Sequence, residues 1–388
     1  MSAGAKVLVL GAGQMGCALA RDLLSSKEVS RIGVVDIDTA KLDAVTRVSP
    51  NRVETHNQSV EDVEAVANLM SNYDIVCSAL LHRHSMAGIE AAISAGKSLV
   101  DLVGSQVTQK LALDESARER GITIIPGAGV APGLSNVLVA RGVRVLDEAV
   151  SGTIYVGGIP RNPKPPLGYN VVFALESVLN ACVTSAQVLR DGEVRYADAL
   201  SDVELVEFCD PPGVLEAFIT EGLSTLIHTM PRRGLRSLEE KTLRYPGYVE
   251  KIEFLRDCGL FDADSVEVDG CRVVPRKVLA ACLSPRLNQP DEQDITLMRV
   301  VVRGRRNAKN ATYTCDMLDF YDVAAKMSSM ARTTCFPCRI ISLAVLSGEI
   351  SQKGVVPVED AVDELFFPKL LSGLSEERIV FDERLIEE

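Results

Sequence analysis

The chain has 388 residues, 47% of them hydrophobic and 24% charged, the balance of a globular protein of two or three domains. Its 53 acidic residues against 41 Lys and Arg give a net charge of −12, which argues against nucleic acid as the main partner but leaves room for a local basic site around a small anion. No apolar run reaches the about 18 residues of a membrane span, and the first residues lack the basic and apolar segments of a signal peptide, so no membrane partner and a cytoplasmic location are expected.

The first predicted element is the strand 6–10. Its apolar run Val7-Leu8-Val9-Leu10 leads straight into Gly11-Ala12-Gly13-Gln14-Met15-Gly16, a G-x-G-x-x-G, and then into an amphipathic helix over 14–26. In that setting Gly11 makes the tight turn, Gly13 lets a pyrophosphate approach the backbone, and Gly16 lets helix and strand pack closely. The helix N-terminus offers free N–H groups and a positive dipole end to the phosphates. A second apolar run ends in Asp36, 20 positions past Gly16, where a ribose 2′-hydroxyl needs an acceptor. Asp36 repels a 2′-phosphate, so NAD is expected over NADP; Lys41 is the one weak candidate for reversing that preference.

The strand–helix rhythm continues to residue 126. Strands are expected at 31–35, 52–56, 74–79, 98–101 and 122–125, with helices near 39–48, 60–70, 83–95 and 107–120. This is a Rossmann-type, doubly wound parallel sheet, with its ligand crevice at the carboxyl ends of the strands. Ser78, Ala79 and Leu80, at the end of the fourth strand, join Gly11, Gly13, Gln14, Met15, Gly16 and Asp36 as expected dinucleotide contacts. His84 follows at the same crevice as a candidate catalytic residue. His82 reads as exposed, and His56 and His228 have no local company suggesting a metal; no metal is expected. Cys335-Phe336-Pro337-Cys338 lacks the second ligand pair of a zinc site and any thioredoxin-like setting.

After Pro126 the rhythm breaks at Gly127-Ala128-Gly129-Val130-Ala131-Pro132-Gly133, the expected hinge out of the nucleotide domain. A helix over 134–146 and a strand over 149–157 follow. Residues 161–166 hold three prolines and form no regular element. Strands at 265–274 and 295–302 flank a helix. Residues 309–317 pair with 295–302 across the turn Gly304-Arg305-Arg306-Asn307. This half reads as an α+β domain with a mixed or antiparallel sheet, followed by helices over 320–388 and a fraying acidic end from Glu376.

Five ordered motifs occur in the second half: Gly129-Val130-Ala131-Pro132-Gly133, Tyr155-Val156-Gly157-Gly158-Ile159-Pro160, Pro166-Leu167-Gly168-Tyr169, Glu216 to Leu223, and Glu240-Lys241-Thr242-Leu243-Arg244-Tyr245-Pro246-Gly247. With Ser329 to Thr334 near the end, the chain resembles the saccharopine dehydrogenase family, more closely its lysine 6-dehydrogenase branch. The resemblance implies a discontinuous nucleotide domain, 1–128 plus about 325–388, around a substrate and dimerisation domain, 129–324. It also implies a homodimer or larger homo-oligomer. The reaction it implies is NAD-dependent oxidation of the lysine ε-amine, with hydrolysis to 2-aminoadipate 6-semialdehyde. Saccharopine reductases carry Asp where this chain has Ala131 and Cys where it has Val156, which favours the lysine branch. Three positions depart from that branch: Glu221 for Asp, Tyr248 for His and Cys335 for Gly.

Amine oxidation needs a base or a desolvating pocket to strip the amine's proton, and a cation for the carboxylate of the amino-acid head. Arg244, in the most specific motif, is the expected carboxylate ligand, its alternative being a salt bridge to Glu239 or Glu240. Glu216 and Glu221 are candidates for base or ammonium acceptor, and five residues apart they need not share a helix face. Glu216 stands with His84 as the catalytic candidates; Glu221, Thr220, Thr242 and Tyr169 stand with Arg244 as substrate contacts. Lys241 reads as an ion pair before a Schiff base. Two alternatives stay open: a reductase that joins an amine and a carbonyl, as in saccharopine or carboxynorspermidine formation, and a non-catalytic NAD-binding regulator.

Overall fold

The computed structural model describes residues 4–171, 175–209, 211–289 and 292–388. Eighteen strands among these, β1 to β18 along the chain, lie in three sheets. The chain divides into two units. The first comprises Met1–Val145, Ser224–Arg232 and Ala331–Phe381; the second comprises Leu146–Leu223, Arg233–Met330 and Asp382–Glu388.

The first unit is built on β1 (Ala5–Leu10), β2 (Val29–Asp36), β3 (Val53–Asn57), β4 (Ile75–Ser78), β5 (Leu99–Asp101), β6 (Thr123–Ile125) and β17 (Gly354–Val355). Their order is β17-β6-β5-β4-β1-β2-β3, and every pairing is parallel. Strand order therefore reverses between β1 and β4, the switch point at which such sheets bind dinucleotides. Val7, Leu8, Val9 and Leu10 are fully buried, as a strand covered on both faces requires. Each apolar run of the first 126 residues is thus a strand, with ends within one to two residues of those read from the pattern. The helix read at 107–120 is two, Val107–Leu111 and Asp114–Glu119. The seventh strand, β17, comes from the C-terminal segment, which the sequence pattern reads as helical.

The second unit carries a mixed sheet. β7 (Glu148–Pro160), β8 (Ala186–Arg190), β9 (Glu193–Ala197), β10 (Glu204–Glu207), β11 (Val214–Ile219), β12 (Ser237–Arg244), β15 (Asp294–Arg306), β16 (Lys309–Phe320) and β18 (Phe381–Glu387) form it. The main path is β10-β11-β12-β7-β15-β16-β18, with β8 off β12 and β9 off β8. β7 and β12 run parallel; β11 with β12, β7 with β15 and β15 with β16 run antiparallel. The turn between β15 and β16 is at Asn307 and Ala308, both in the left-handed region (φ 52° and 63°), not at 304–307. β15 runs four residues further into the turn than the expected 302, whereas β16 starts at Lys309 as expected and runs three residues past 317 at its far end. β13 (Val266–Val268) and β14 (Cys271–Val273) form a small separate hairpin where one longer strand is expected. The acidic end does not fray: Asp382 to Glu387 lie in β18, where Glu383 accepts a bond from the buried Tyr313 hydroxyl at 3.0 Å.

One face of this sheet packs on the helices Leu175–Ala181, Tyr248–Asp257 and Pro275–Leu287 through Leu179, Phe218, Tyr248, Ile252, Leu283 and neighbours. On the other lie Ile159, Leu215, Ala217, Leu243, Ile295 and Leu297. No helix among the described residues is long and apolar enough to cross a membrane.

Candidate active site

The glycine loop of the first unit fits a dinucleotide on geometric grounds. Gly11 has φ +93°, and a Cβ there would lie 2.8 Å from the Ala79 carbonyl oxygen. A Cβ on Gly16 would lie 1.8 Å from the Gly11 carbonyl oxygen. These two glycines are therefore demanded by the fold itself. Gly13 is different: a Cβ there meets nothing within 4 Å, so the fold does not require its glycine, and its backbone is open to close approach by a ligand. Gly13 caps the helix Gln14–Ser25 without a side-chain bond, and the first turn carries no acid. Its first N–H groups, around Gln14 and Met15, lack intrahelical acceptors and suit a phosphate.

Asp36, at the end of β2, accepts hydrogen bonds from Ala12 N–H (2.7 Å, Oδ2) and Asp38 N–H (2.9 Å, Oδ1). It thereby ties the glycine loop to the neighbouring strand, with one lone pair on each oxygen left for a ribose. Lys41 is paired with Asp38 at 3.5 Å. Ser78 is buried at the end of β4, and its hydroxyl has no partner among the described residues. Ala79 donates to Leu10 O at 2.8 Å, and the Leu80 side chain packs against the nucleotide-domain core.

His84 lies in the short helix and turn after β4 and is hydrogen-bonded at both ring nitrogens. Its Nδ1 bonds to Glu61, and Arg83 Nε donates to its Nε2 at 3.0 Å. Both ring nitrogens take part in a surface network with Glu61 and Arg83.

The second unit assembles the other candidates on β11 and β12. The register pairs Glu216 with Arg244 and Phe218 with Thr242, so these residues share a face, and alternation adds Glu240 to it. Arg244 is 9% exposed. Its guanidinium lies over the rings of Tyr169 (4.4 Å) and Tyr248 (5.6 Å). Tyr248 in turn stacks on Phe218 at 5.7 Å. Arg244 donates only to the carbonyl oxygen of Leu243 (2.8 Å), and its Nε has no partner among the described residues. No acid pairs with it there: Glu239 is held by Arg190 and Lys241, leaving the guanidinium's charge without a counter-ion. A buried cation in that state is costly and is where an anion binds. Beside it, Thr220 and Thr242 hydroxyls bond to each other at 2.8 Å. Val156 of β7 is in register with Thr242 and adds an apolar neighbour.

Glu216 serves as a cap. Its Oε2 accepts from Gly247 N–H (3.0 Å) and its Oε1 from Val249 N–H (2.7 Å), closing the N-terminus of the helix Tyr248–Asp257. The stretch is a strand, so a helix-face argument does not apply to it. Glu221 is exposed and accepts from Gln187 N–H at 2.6 Å. Tyr169 is buried under Arg244 and holds it in place. Lys241, on the opposite face, is an ion pair with Glu204 at 2.6 Å.

The residue that sequence reasoning missed is Glu240. It is 5% exposed, its Oε2 has no partner among the described residues, and burial, with Glu221 as second cause, pushes its carboxyl up to about 8. The signal was present in the alternation Glu240-x-Thr242-x-Arg244, which is informative only once the stretch is read as a strand. Among the described residues no three His, Cys, Asp or Glu are grouped to hold a metal ion. Cys335 and Cys338 are buried in the helix Ser329–Ser347, where Cys335 Sγ donates to Met15 O at 3.4 Å.

Comparison with known proteins accords with both halves of this description. Residues 7–125 match the saccharopine dehydrogenase NADP binding domain, and residues 129–380 the saccharopine dehydrogenase C-terminal domain. A saccharopine dehydrogenase [NADP(+), L-glutamate-forming] of Schizosaccharomyces pombe is 24% identical, covering 98% of this chain and 99% of its own. A carboxyaminopropylagmatine dehydrogenase of Synechocystis is 22% identical, over 94% and 95%. The apo saccharopine dehydrogenase (L-Glu forming) of Saccharomyces cerevisiae shares the fold, with a TM-score of 0.83 at 19% identity over 99% of this chain and 100% of that one. The chain belongs to the saccharopine dehydrogenase family of pyridine-nucleotide-dependent oxidoreductases.

Proposed function

We propose that the protein catalyses NAD-dependent oxidative deamination of the L-lysine ε-amine to 2-aminoadipate 6-semialdehyde. The observation that carries the reading is the buried Arg244 guanidinium, stacked on two tyrosines and without a carboxylate partner among the described residues. A planar fork in that condition selects a carboxylate, here that of an amino-acid head. The Thr220–Thr242 hydroxyl pair supplies hydrogen bonds beside it, and Val156 keeps the neighbouring surface apolar. Bound on the glycine loop, the nicotinamide supplies the acceptor for the hydride. Asp36 supports NAD over NADP, because its carboxylate repels a 2′-phosphate and has lone pairs for the ribose hydroxyls.

A second reading has its own support. The Schizosaccharomyces pombe relative is a saccharopine dehydrogenase named for NADP(+), and the Synechocystis relative is a carboxyaminopropylagmatine dehydrogenase. On this reading an amine and an aldehyde are joined through an imine that is then reduced. One assay separates the two. With L-lysine and NAD alone, the first reading requires NADH to appear; the second requires NADH or NADPH to be consumed only when aldehyde and amine are supplied together. A protein that binds NAD and turns over neither set is a regulator, and the enzymatic reading fails.

A further inference from the structure

We propose that Glu240 receives the proton of the substrate amine, with Arg244 holding the carboxylate at the other end of the same sheet face; this rests on the reading of the substrate as an amino acid with a distal amine. Four observations carry it. Glu240 is buried, and a side-chain oxygen, Oε2, has no hydrogen-bond partner among the described residues. An ionisable group kept in that condition inside a protein is costly and calls for an explanation. The fold makes room for it: a Cβ on Gly222 would lie 1.7 Å from Glu240 Oε1, so Gly222 is glycine because the carboxyl occupies that space. Between Glu240 and Arg244 on this face stands Thr242, its hydroxyl bonded to that of Thr220, with the apolar Phe218 and Val156 in register on either side. Four residues of extended strand put the two Cα atoms roughly 13 Å apart, the scale of an extended diamino acid between two side chains.

The neighbours favour a shifted carboxyl. On β7 the residue in register is Ile154, and the adjoining strand end contributes Thr220, whose N–H donates to Glu240 O at 3.2 Å. The charged group acting on it is Glu221, a second acid. No cation among the described residues pairs with Glu240, because Lys241 and Arg190 bond on the other face of β12. Burial and Glu221 together hold the carboxyl neutral until about pH 8.

The step balances as follows. The ammonium gives one proton to the Glu240 carboxylate. The amine's carbon then loses a hydride to the oxidised nicotinamide, and the nitrogen lone pair becomes the C=N bond of an iminium ion. Water adds to that carbon, ammonia leaves, and Glu240 releases its proton to solvent. In the reverse direction the neutral acid protonates the amine product.

The test uses Glu240→Gln and Glu221→Gln, with NADH-saturated protein for binding and NAD for turnover. L-lysine and L-norleucine differ by the distal amine alone. By titration calorimetry the wild type should bind lysine at least ten-fold more tightly than norleucine, with a heat that depends on the buffer's ionisation. Glu240→Gln should lose both the preference and the buffer dependence. In turnover, kcat/KM of the wild type should rise through about pH 8; Glu240→Gln should fall about 10²–10⁴-fold and keep only the substrate's own limb near pH 10. Glu221→Gln should move the limb to lower pH. Equal binding of the two amino acids by the wild type, or a limb near pH 8 that survives Glu240→Gln, overturns the assignment. A wild type that prefers lysine but forms no NADH sinks the deamination reading while upholding the Glu240 contact. NADH formation unaffected by Glu240→Gln does the reverse.

Discussion

Replacing Arg244 by Met separates its functional role from a structural one. The guanidinium is buried, 4.4 Å from the Tyr169 ring centre, and has no acidic partner among the described residues. Methionine fills a similar volume without the charge. The fold loses the ring contacts, about 1–2 kcal/mol, but is relieved of an unpaired buried cation, whose effective cost is several kcal/mol. The melting temperature should therefore stay constant or rise. Substrate binding should suffer. Charge-assisted hydrogen bonds contribute about 1.5–3 kcal/mol each, so losing a two-bond fork costs about 3 kcal/mol or more, roughly 100-fold in Kd. Calorimetric titration with L-lysine, steady-state kcat/KM and a thermal melt provide the three readings. A variant that melts lower while lysine affinity is unchanged would refute the reasoning, because Arg244 would then be serving the fold.

The glycine loop gives a paired prediction. Gly16→Ala places a methyl 1.8 Å from a backbone oxygen, so it should lose about 1–3 kcal/mol of stability along with NADH binding, read by melting and by fluorescence titration. Gly13→Ala meets nothing in the protein, so the melt should be unchanged and NADH affinity alone should fall; a lowered melt in that variant counts against a ligand-imposed glycine. Asp36→Ala should lower the NAD/NADP ratio of kcat/KM and weaken NAD binding, since the carboxylate also anchors Ala12; an unchanged ratio removes Asp36 from the discrimination. Glu359 is wholly buried and accepts from Thr225 (2.7 Å), Thr229 (2.6 Å) and Asn136 (3.4 Å), and burial raises its pKa. A carboxyl raised in the folded state contributes stability that is complete below its unfolded pKa and is lost as pH climbs through the folded one. Urea midpoints should thus fall more with rising pH, from the ordinary carboxylate range upward, in the wild type than in Glu359→Gln; parallel curves would show that Glu359 does not titrate differently on folding.

The first sheet was legible because its strands are buried on both faces, which writes them as uninterrupted apolar runs between helices. Val7 to Leu10 and Ile32 to Val35 need no knowledge of their partners to be recognised. In the second sheet that signal weakens. β12 reads Ser-Leu-Glu-Glu-Lys-Thr-Leu-Arg, with charges on both faces, because one face carries Glu240 and Arg244 and the other an ion-pair cluster. Without the strand, Glu216 and Glu221 were compared on a helical period, and Glu240 entered only as a salt-bridge partner. The cap made by Glu216 was equally hidden, since it depends on the helix Tyr248–Asp257 packing across the strand that carries it. Arg244 and the two threonines were found through motif resemblance. Their arrangement on one face came from the register.

β17 is two residues long, yet it completes the parallel sheet of the first unit. Gly354 and Val355 pair with Thr123 and Ile124, and the Thr123 hydroxyl donates at 2.6 Å to the Gln352 carbonyl, 229 residues away. During synthesis the ribosome releases the first six strands long before Gly354 exists. For all that time the nascent chain carries an open β6 edge, the kind of surface that pairs with other chains. A fragment ending after β6 inherits the same exposed edge permanently. The first unit's sheet is thus finished only once residues 354 and 355 have been made.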